Sequence, residues 1–287
     1  MEPTFQNVPY GPHERNVLDV YTAPSKRPSP IFVWIHGGGF YCGDKSETGP
    51  DLIPILFERG ISLVTINYRF SQHAIYPAPY HDCRRAFQFV RFHASSWGMD
   101  PQRMAVGGLS AGAGMSLWLG LRLDMAKPES NDPIERESTK PACIHITDGQ
   151  TSYDPRFISK LIGGKVHIYE KVLADLFGVP RDVWPHLDER ATQLVEEASP
   201  INFLSQGAPP ILCVYSKSRN YAPDIHHPRY GDDLKERMDS LDLECTVIVD
   251  EELLNDMKFP QKSGQGVKQV SIFQSYLDCD SPSMNAA

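Results

Sequence analysis

Gly108-Leu109-Ser110-Ala111-Gly112 is the stretch with the clearest capacity for chemistry: a serine with a glycine two residues before it and another two residues after it. The apolar run Met104-Ala105-Val106 precedes it and a second apolar run begins at Met115, so the segment reads as strand, sharp turn and helix. A serine at such a turn takes a backbone conformation that crowds its neighbours, and the flanking glycines let strand and helix approach closely. Its hydroxyl is thereby pushed out above the end of the strand. A second feature is His36-Gly37-Gly38-Gly39-Phe40, directly after the apolar run Pro30 to Ile35. Three consecutive glycines leave backbone N–H groups uncovered by side chains, so this loop can direct donors at an anion or a developing oxyanion. A third is Asp224-Ile225-His226-His227-Pro228, a carboxylate and two imidazoles just before a helix expected to run to about Met238. Pro228 suits the first turn of that helix.

Regular elements must position these groups. Val17 to Tyr21 alternates apolar and polar residues, as a half-exposed antiparallel strand at a sheet edge would. Buried strands are expected at Pro30 to Ile35, Ser62 to Tyr68, Ala142 to Thr147, Pro210 to Tyr215 and Cys245 to Asp250, and Asp100-Pro101 is expected to break the chain before the strand that leads to Ser110. Between Asp82 and about Ser96, Ala86, Phe87, Val90 and Phe92 recur at helical spacing. Strands alternating with helices imply parallel crossovers and a sheet covered on both faces. The expected fold class is therefore α/β, with a mostly parallel sheet of about eight strands. Asp148 falls at the carboxyl end of the sixth strand, where ligand-facing residues collect. Residues from about 150 to 200 read as a helical cap inserted in a single domain that spans 1–287. Its Phe157, Ile158, Leu173, Phe177 and Trp184 offer an apolar face to a substrate or to the core.

Composition narrows the function classes. With a net charge of −8 over 287 residues and no basic patch, the chain is not expected to bind nucleic acid or an anionic membrane surface. Cys42, Cys83, Cys143, Cys213, Cys245 and Cys279 are scattered with no C-x-x-C pair, which suggests buried thiols and neither a zinc site nor a disulfide scaffold. No apolar run approaches the roughly 18 residues of a membrane span, and the first thirty residues are polar and proline-rich. The expectation is a cytoplasmic protein, or a secreted or periplasmic one whose signal peptide has been removed. No metal or organic cofactor is implied.

The loop from His36 to Phe40, the block from Tyr68-Arg69 through Pro77-Ala78 to Asp82, Asp100-Pro101 with Arg103, and Gly108 to Gly112 stand in the order and spacing of the α/β-hydrolase superfamily. They resemble most the branch of hormone-sensitive-lipase-like carboxylesterases and the related feruloyl- and acetyl-esterases. The resemblance covers about residues 15–120 by motif and the remainder by strand order. It implies an α/β-hydrolase fold with a helical cap, Ser110 as nucleophile, and an oxyanion hole built from the N–H groups of Gly38, Gly39 and Ala111. The implied activity is hydrolysis of small or medium carboxylic esters through an acyl-Ser110 intermediate. His36, Tyr68, Arg69 and Asp82 would hold loops in place.

Two departures stand out. The position aligned to the family's acid falls at Arg219 or Asn220, which leaves Asp224 as the nearest carboxylate. The family histidine should follow the strand ending at Asp250, yet no histidine occurs after His227. Without a base, a serine hydroxyl is a poor nucleophile at neutral pH. Three explanations compete. His226 or His227 could reach Ser110, oriented by Asp224 or Asp148. The fold could instead be catalytically impaired and serve as a ligand-binding or scaffold protein, with the acidic run Asp250-Glu251-Glu252 and nearby Asn255-Asp256 where the histidine is missing. The C-terminal segment could also be altered.

Overall fold

Inside the sheet, successive residues of each strand point to opposite faces, and both faces are apolar. On β3 (Ser29–Ile35), Ile31, Val33 and Ile35 join one hydrophobic cluster while Phe32 and Trp34 join another. The same split recurs on β7 (Ile211–Ser216), with Ile211, Cys213 and Tyr215 on one side and Leu212 and Val214 on the other. Helices α2 (Ala78–His93), α3 (Ala111–Leu121) and α7 (Arg229–Asp239) supply the first cluster, and α1 (Leu52–Glu58) supplies the second. The computed structural model describes residues 1–48, 52–163, 170–184, 186–220, 224–250, 275 and 277. The acidic run after Asp250, with Asn255 and Asp256, and the cysteine at 279 lie outside them.

Eight strands form one sheet in the order β1-β2-β4-β3-β5-β6-β7-β8, where β1 is Phe5–Pro9, β2 Val17–Tyr21, β4 Ser62–Ile66, β5 Met99–Leu109, β6 Cys143–Thr147 and β8 Cys245–Asp250. The two pairings of β2 are antiparallel and every other pairing is parallel. The expected α/β architecture is present, with corrections in detail. Strand β2 is not a half-exposed edge, because β1 covers it. Its polar residue misled the alternation: Asp19 is only 3% exposed, and its carboxylate is satisfied by Lys45 Nζ at 2.7 Å and by the N–H of Asn7 at 2.7 Å. Asp100-Pro101 does not end the strand, since β5 spans Met99–Leu109, but it does interrupt the ladder: the pairing with β3 shifts register between Met99 and Met104. Helix α2 starts at Ala78, four residues before the apolar spacing begins, with Pro79 in its first turn, where no N–H is required.

Between β6 and β7 lie α4 (Pro155–Ile162), α5 (Glu170–Phe177) and α6 (Glu189–Ala198). Ile158, Leu173, Phe177 and Trp184 from this insertion are buried in the main cluster, so these apolar residues pack as core. Cys83, Cys143, Cys213 and Cys245 are buried free thiols and Cys42 is exposed. Among the described residues no helix is long and apolar enough to cross a membrane.

Two buried histidines make stability sensitive to acid. Burial lowers His36, in the loop after β3, and His145, on β6, from 6.5 to about 4. A histidine depressed in the folded state takes up its proton more readily when the chain unfolds. Its contribution is therefore complete above pH 6.5 and is lost as pH falls toward 4. Urea unfolding at pH 7 and pH 5 is expected to show a lower stability at pH 5, by about 2 kcal/mol for each ring. Equal stabilities at the two pH values would contradict this account.

Candidate active site

Ser110 sits between β5 and α3 with φ 52° and ψ −114°, a conformation that costs a residue with a side chain about 1–3 kcal/mol. The surroundings enforce it. The Ser110 N–H donates to the carbonyl of Thr147 on β6 (3.0 Å), and its own carbonyl accepts the N–H of Gly114 in the first turn of α3 (3.0 Å). A Cβ at either Gly108 or Gly112 would overlap the carbonyl oxygen of Ile35 at the end of β3. The paired glycines are thus what allow helix and turn to sit against the neighbouring strand.

The glycine loop follows from that same end of β3. Gly38 and Gly39 have φ of 99° and 59°, and the Gly38 carbonyl accepts the N–H groups of Tyr41 and Cys42, which closes the loop on itself. The carbonyl of Gly37 takes the hydroxyl of Tyr68 at 3.0 Å, and a Cβ on Gly37 would stand 3.0 Å from the carbonyl of Leu109, so the loop rests against the serine turn. Ala111 is the first residue of α3, and N–H groups of a first turn have no acceptor inside their helix. His36 is fixed rather than mobile. Its Nδ1 lies 2.7 Å from the Gly37 carbonyl, Arg15 Nη2 is 3.3 Å from its Nε2, and its ring stacks on Tyr68 with centroids 4.4 Å apart. Because Gly37 can only accept, Nδ1 carries the hydrogen and Nε2 receives the arginine. Arg69 and Asp82, expected to hold loops in place, join in a two-pronged bridge at 2.8 and 2.7 Å.

The histidine facing Ser110 comes from beyond β7. His226 Nε2 lies 2.9 Å from Ser110 Oγ. Asp224, 2% exposed, accepts the backbone N–H of His226 on Oδ1 at 2.8 Å, and the same oxygen lies 3.3 Å from His226 Nδ1. A carboxylate that binds the N–H two residues later makes a tight local turn, so the acid and the imidazole share one short loop. The structure brings Ser110, His226 and Asp224 together and occupies His227 elsewhere. His227 Nδ1 accepts the N–H of Arg229 at 3.1 Å, at the start of α7, and burial lowers its pKa.

Asp148 is part of the same cluster. It follows β6 with φ 49°, and its Oδ1 accepts the N–H of Ser216 at 3.0 Å. Burial raises its pKa, and the charge of Asp224 adds to the rise, while the Ser216 N–H, His226 and Arg219 oppose it. Arg219 stands at a position where the resemblance looked for the acid; its Nη1 lies 3.3 Å from Asp224 Oδ2. That contact had a sequence signal, a cation five residues before the carboxylate. Tyr153 is buried against α3, and Asp154 caps α4 by accepting the N–H of Arg156.

Residues 18–224 match the BD-FAE family model. The chain belongs to the BD-FAE family. The BD-FAE match contains Ser110, the glycine loop and Asp224 and ends two residues short of His226. The chain is also similar to two Mycobacterium tuberculosis proteins, esterase LipC (26% identity, 73% of this chain and 50% of that protein) and esterase LipQ (24%, 80% and 52%). It spans about half the length of these curated relatives. Among solved structures, a truncated carbohydrate esterase from gut microbiota superposes with a TM-score of 0.73 at 21% identity, over 95% of each chain. Thermogutta terrifontis esterase 2, phosphonylated by cyclosarin, gives 0.69 at 17% identity, over 99% of this chain and 98% of its own. This BD-FAE chain has the α/β-hydrolase fold, with Ser110 at the turn between the central strand and its helix.

Proposed function

We propose that this protein is a serine carboxylic-ester hydrolase in which Ser110 is the nucleophile, His226 the general base and Asp224 the carboxylate that orients it. The 2.9 Å contact between Ser110 Oγ and His226 Nε2 carries the reading, because it supplies the proton acceptor whose absence after β8 would otherwise disable the serine. In the first half-reaction Oγ attacks the ester carbonyl carbon while Nε2 takes the hydroxyl proton. The tetrahedral oxyanion is held by the N–H groups of Gly38, Gly39 and Ala111, each such donor contributing about 3 kcal/mol. His226 then returns the proton to the departing alcohol, leaving acyl-Ser110. Water repeats the sequence, with His226 as its base, and releases the acid. Asp224 stabilises the imidazolium in both halves and remains ionised.

Helices α4 to α6 act as the cap in this reading. A Cβ on Gly39 would meet Val172 Cγ1 of α5 at 3.3 Å, so the insertion reaches the oxyanion loop. A cavity of about 640 Å³ lies between Tyr41, just past that loop, and Val172, Asp175 and Arg181 of the insertion. Its lining residues include neither Ser110 nor His226, so it marks a space beside the oxyanion loop and not the reacting centre.

Covalent labelling separates this reading from a catalytically impaired binding protein on the same fold. A fluorophosphonate probe is expected to label the protein once, on the peptide containing Ser110, because only an activated hydroxyl displaces fluoride from phosphorus. Absence of label under conditions that saturate a known serine esterase would favour the binding protein.

A further inference from the structure

Moving the base from the loop after β8 to the turn after β7 creates a positioning problem. The Asp224–His226 turn is short and must keep Nε2 at 2.9 Å from a hydroxyl on another strand's end. On the reading of His226 as the base, we propose that Gln150 is the positioning residue that holds this turn. The residue is 3% exposed, and its Nε2 donates to the carbonyl of Asp148 at 3.1 Å and to the carbonyl of Ile225 at 3.3 Å. Both partners are carbonyls and can only accept, so the amide orientation is determined: the nitrogen, with its two hydrogens, faces them. Ile225 is the residue between the acid and the base.

The other end of the clamp is firmly anchored. The Asp148 N–H donates to Val214 at 2.8 Å, its carboxylate accepts from Ser216 at 3.0 Å, and the Gly149 carbonyl accepts the Tyr215 hydroxyl at 2.8 Å. Asp148 and Gly149 are thus bound to β7, and Gln150, next in the chain, links that edge to the base turn. The Gln150 side chain reaches the base turn through the Ile225 carbonyl, one residue before His226.

The test is a double-mutant cycle with p-nitrophenyl acetate as the probe. Gln150→Met keeps the shape and removes both donors, and Gln150→Ala leaves room for water to replace them. Each variant is expected to lower kcat about 10- to 100-fold with KM within two-fold, the scale of a catalytic group displaced by about 1 Å. In a His226→Ala background the same substitutions are expected to add no further loss, because the group they position is gone. Unchanged kcat in the single variants would overturn the proposal, as would an equal fractional loss in both backgrounds, which would mark a general effect on folding. If Gln150→Met fails to fold, Gln150→Ala decides by the same comparison. Should His226→Ala itself leave turnover intact, the base assignment fails and Gln150 falls with it. Should His226→Ala abolish turnover while the Gln150 variants do not affect it, the base stands and only the clamp is rejected.

Discussion

Replacement of Ser110 by alanine is expected to reduce hydrolysis of p-nitrophenyl acetate by about 10⁴- to 10⁶-fold, down to the residual rate that an oxyanion site and binding alone sustain. The size follows from covalent catalysis being all or none at the nucleophile: with Oγ removed, no acyl-enzyme forms. The fold should survive. Ser110 is held by backbone bonds to Thr147 and Gly114, which alanine keeps, and the positive φ is no more costly for alanine than for serine. The measurement pairs turnover with the thermal midpoint. Turnover that persists in a folded Ser110→Ala protein would reject the nucleophile.

The second large effect distinguishes two adjacent rings. His226→Ala is expected to cost as much as the loss of the nucleophile, since base and nucleophile act as a unit and removing either disables the same step. His227→Ala is expected to keep turnover within a few-fold. Its ring is engaged with the Arg229 N–H, so its loss affects the start of α7 and costs about 1 kcal/mol of stability. Assayed side by side at one pH, the pair gives a ratio of several powers of ten if the geometry governs the chemistry. Equal losses in the two variants, or a larger loss at His227, would sink the assignment of His226 as base.

Local patterns made much of this molecule legible. The strands leading to Ser110 and to the glycine loop announce themselves as short apolar runs, because a strand of a parallel sheet is buried on both faces. The turn at Ser110 is marked by glycines whose necessity is steric and local to the crossing with β3. Errors arose where a partner distant in sequence altered the meaning of a residue. Asp19 looks like a solvent-facing position until Lys45 and Asn7 are folded onto it, whereas Asp100-Pro101 does mark an irregularity, a register shift inside β5 and not its start.

By itself the sequence determined the class of fold, the serine at its sharp turn, the glycine loop and a short set of titratable candidates, since each depends on residue type and spacing within a few positions. Only the tertiary structure decided among those candidates. Two neighbouring histidines have the same chemistry and almost the same place in the chain, and what separates them is direction. The bond from Asp224 to the backbone of His226 turns one ring toward Ser110, while the first turn of α7 claims the other. Such direction is a property of contacts made across more than a hundred residues, between the ends of β5 and β7, and no local pattern carries it.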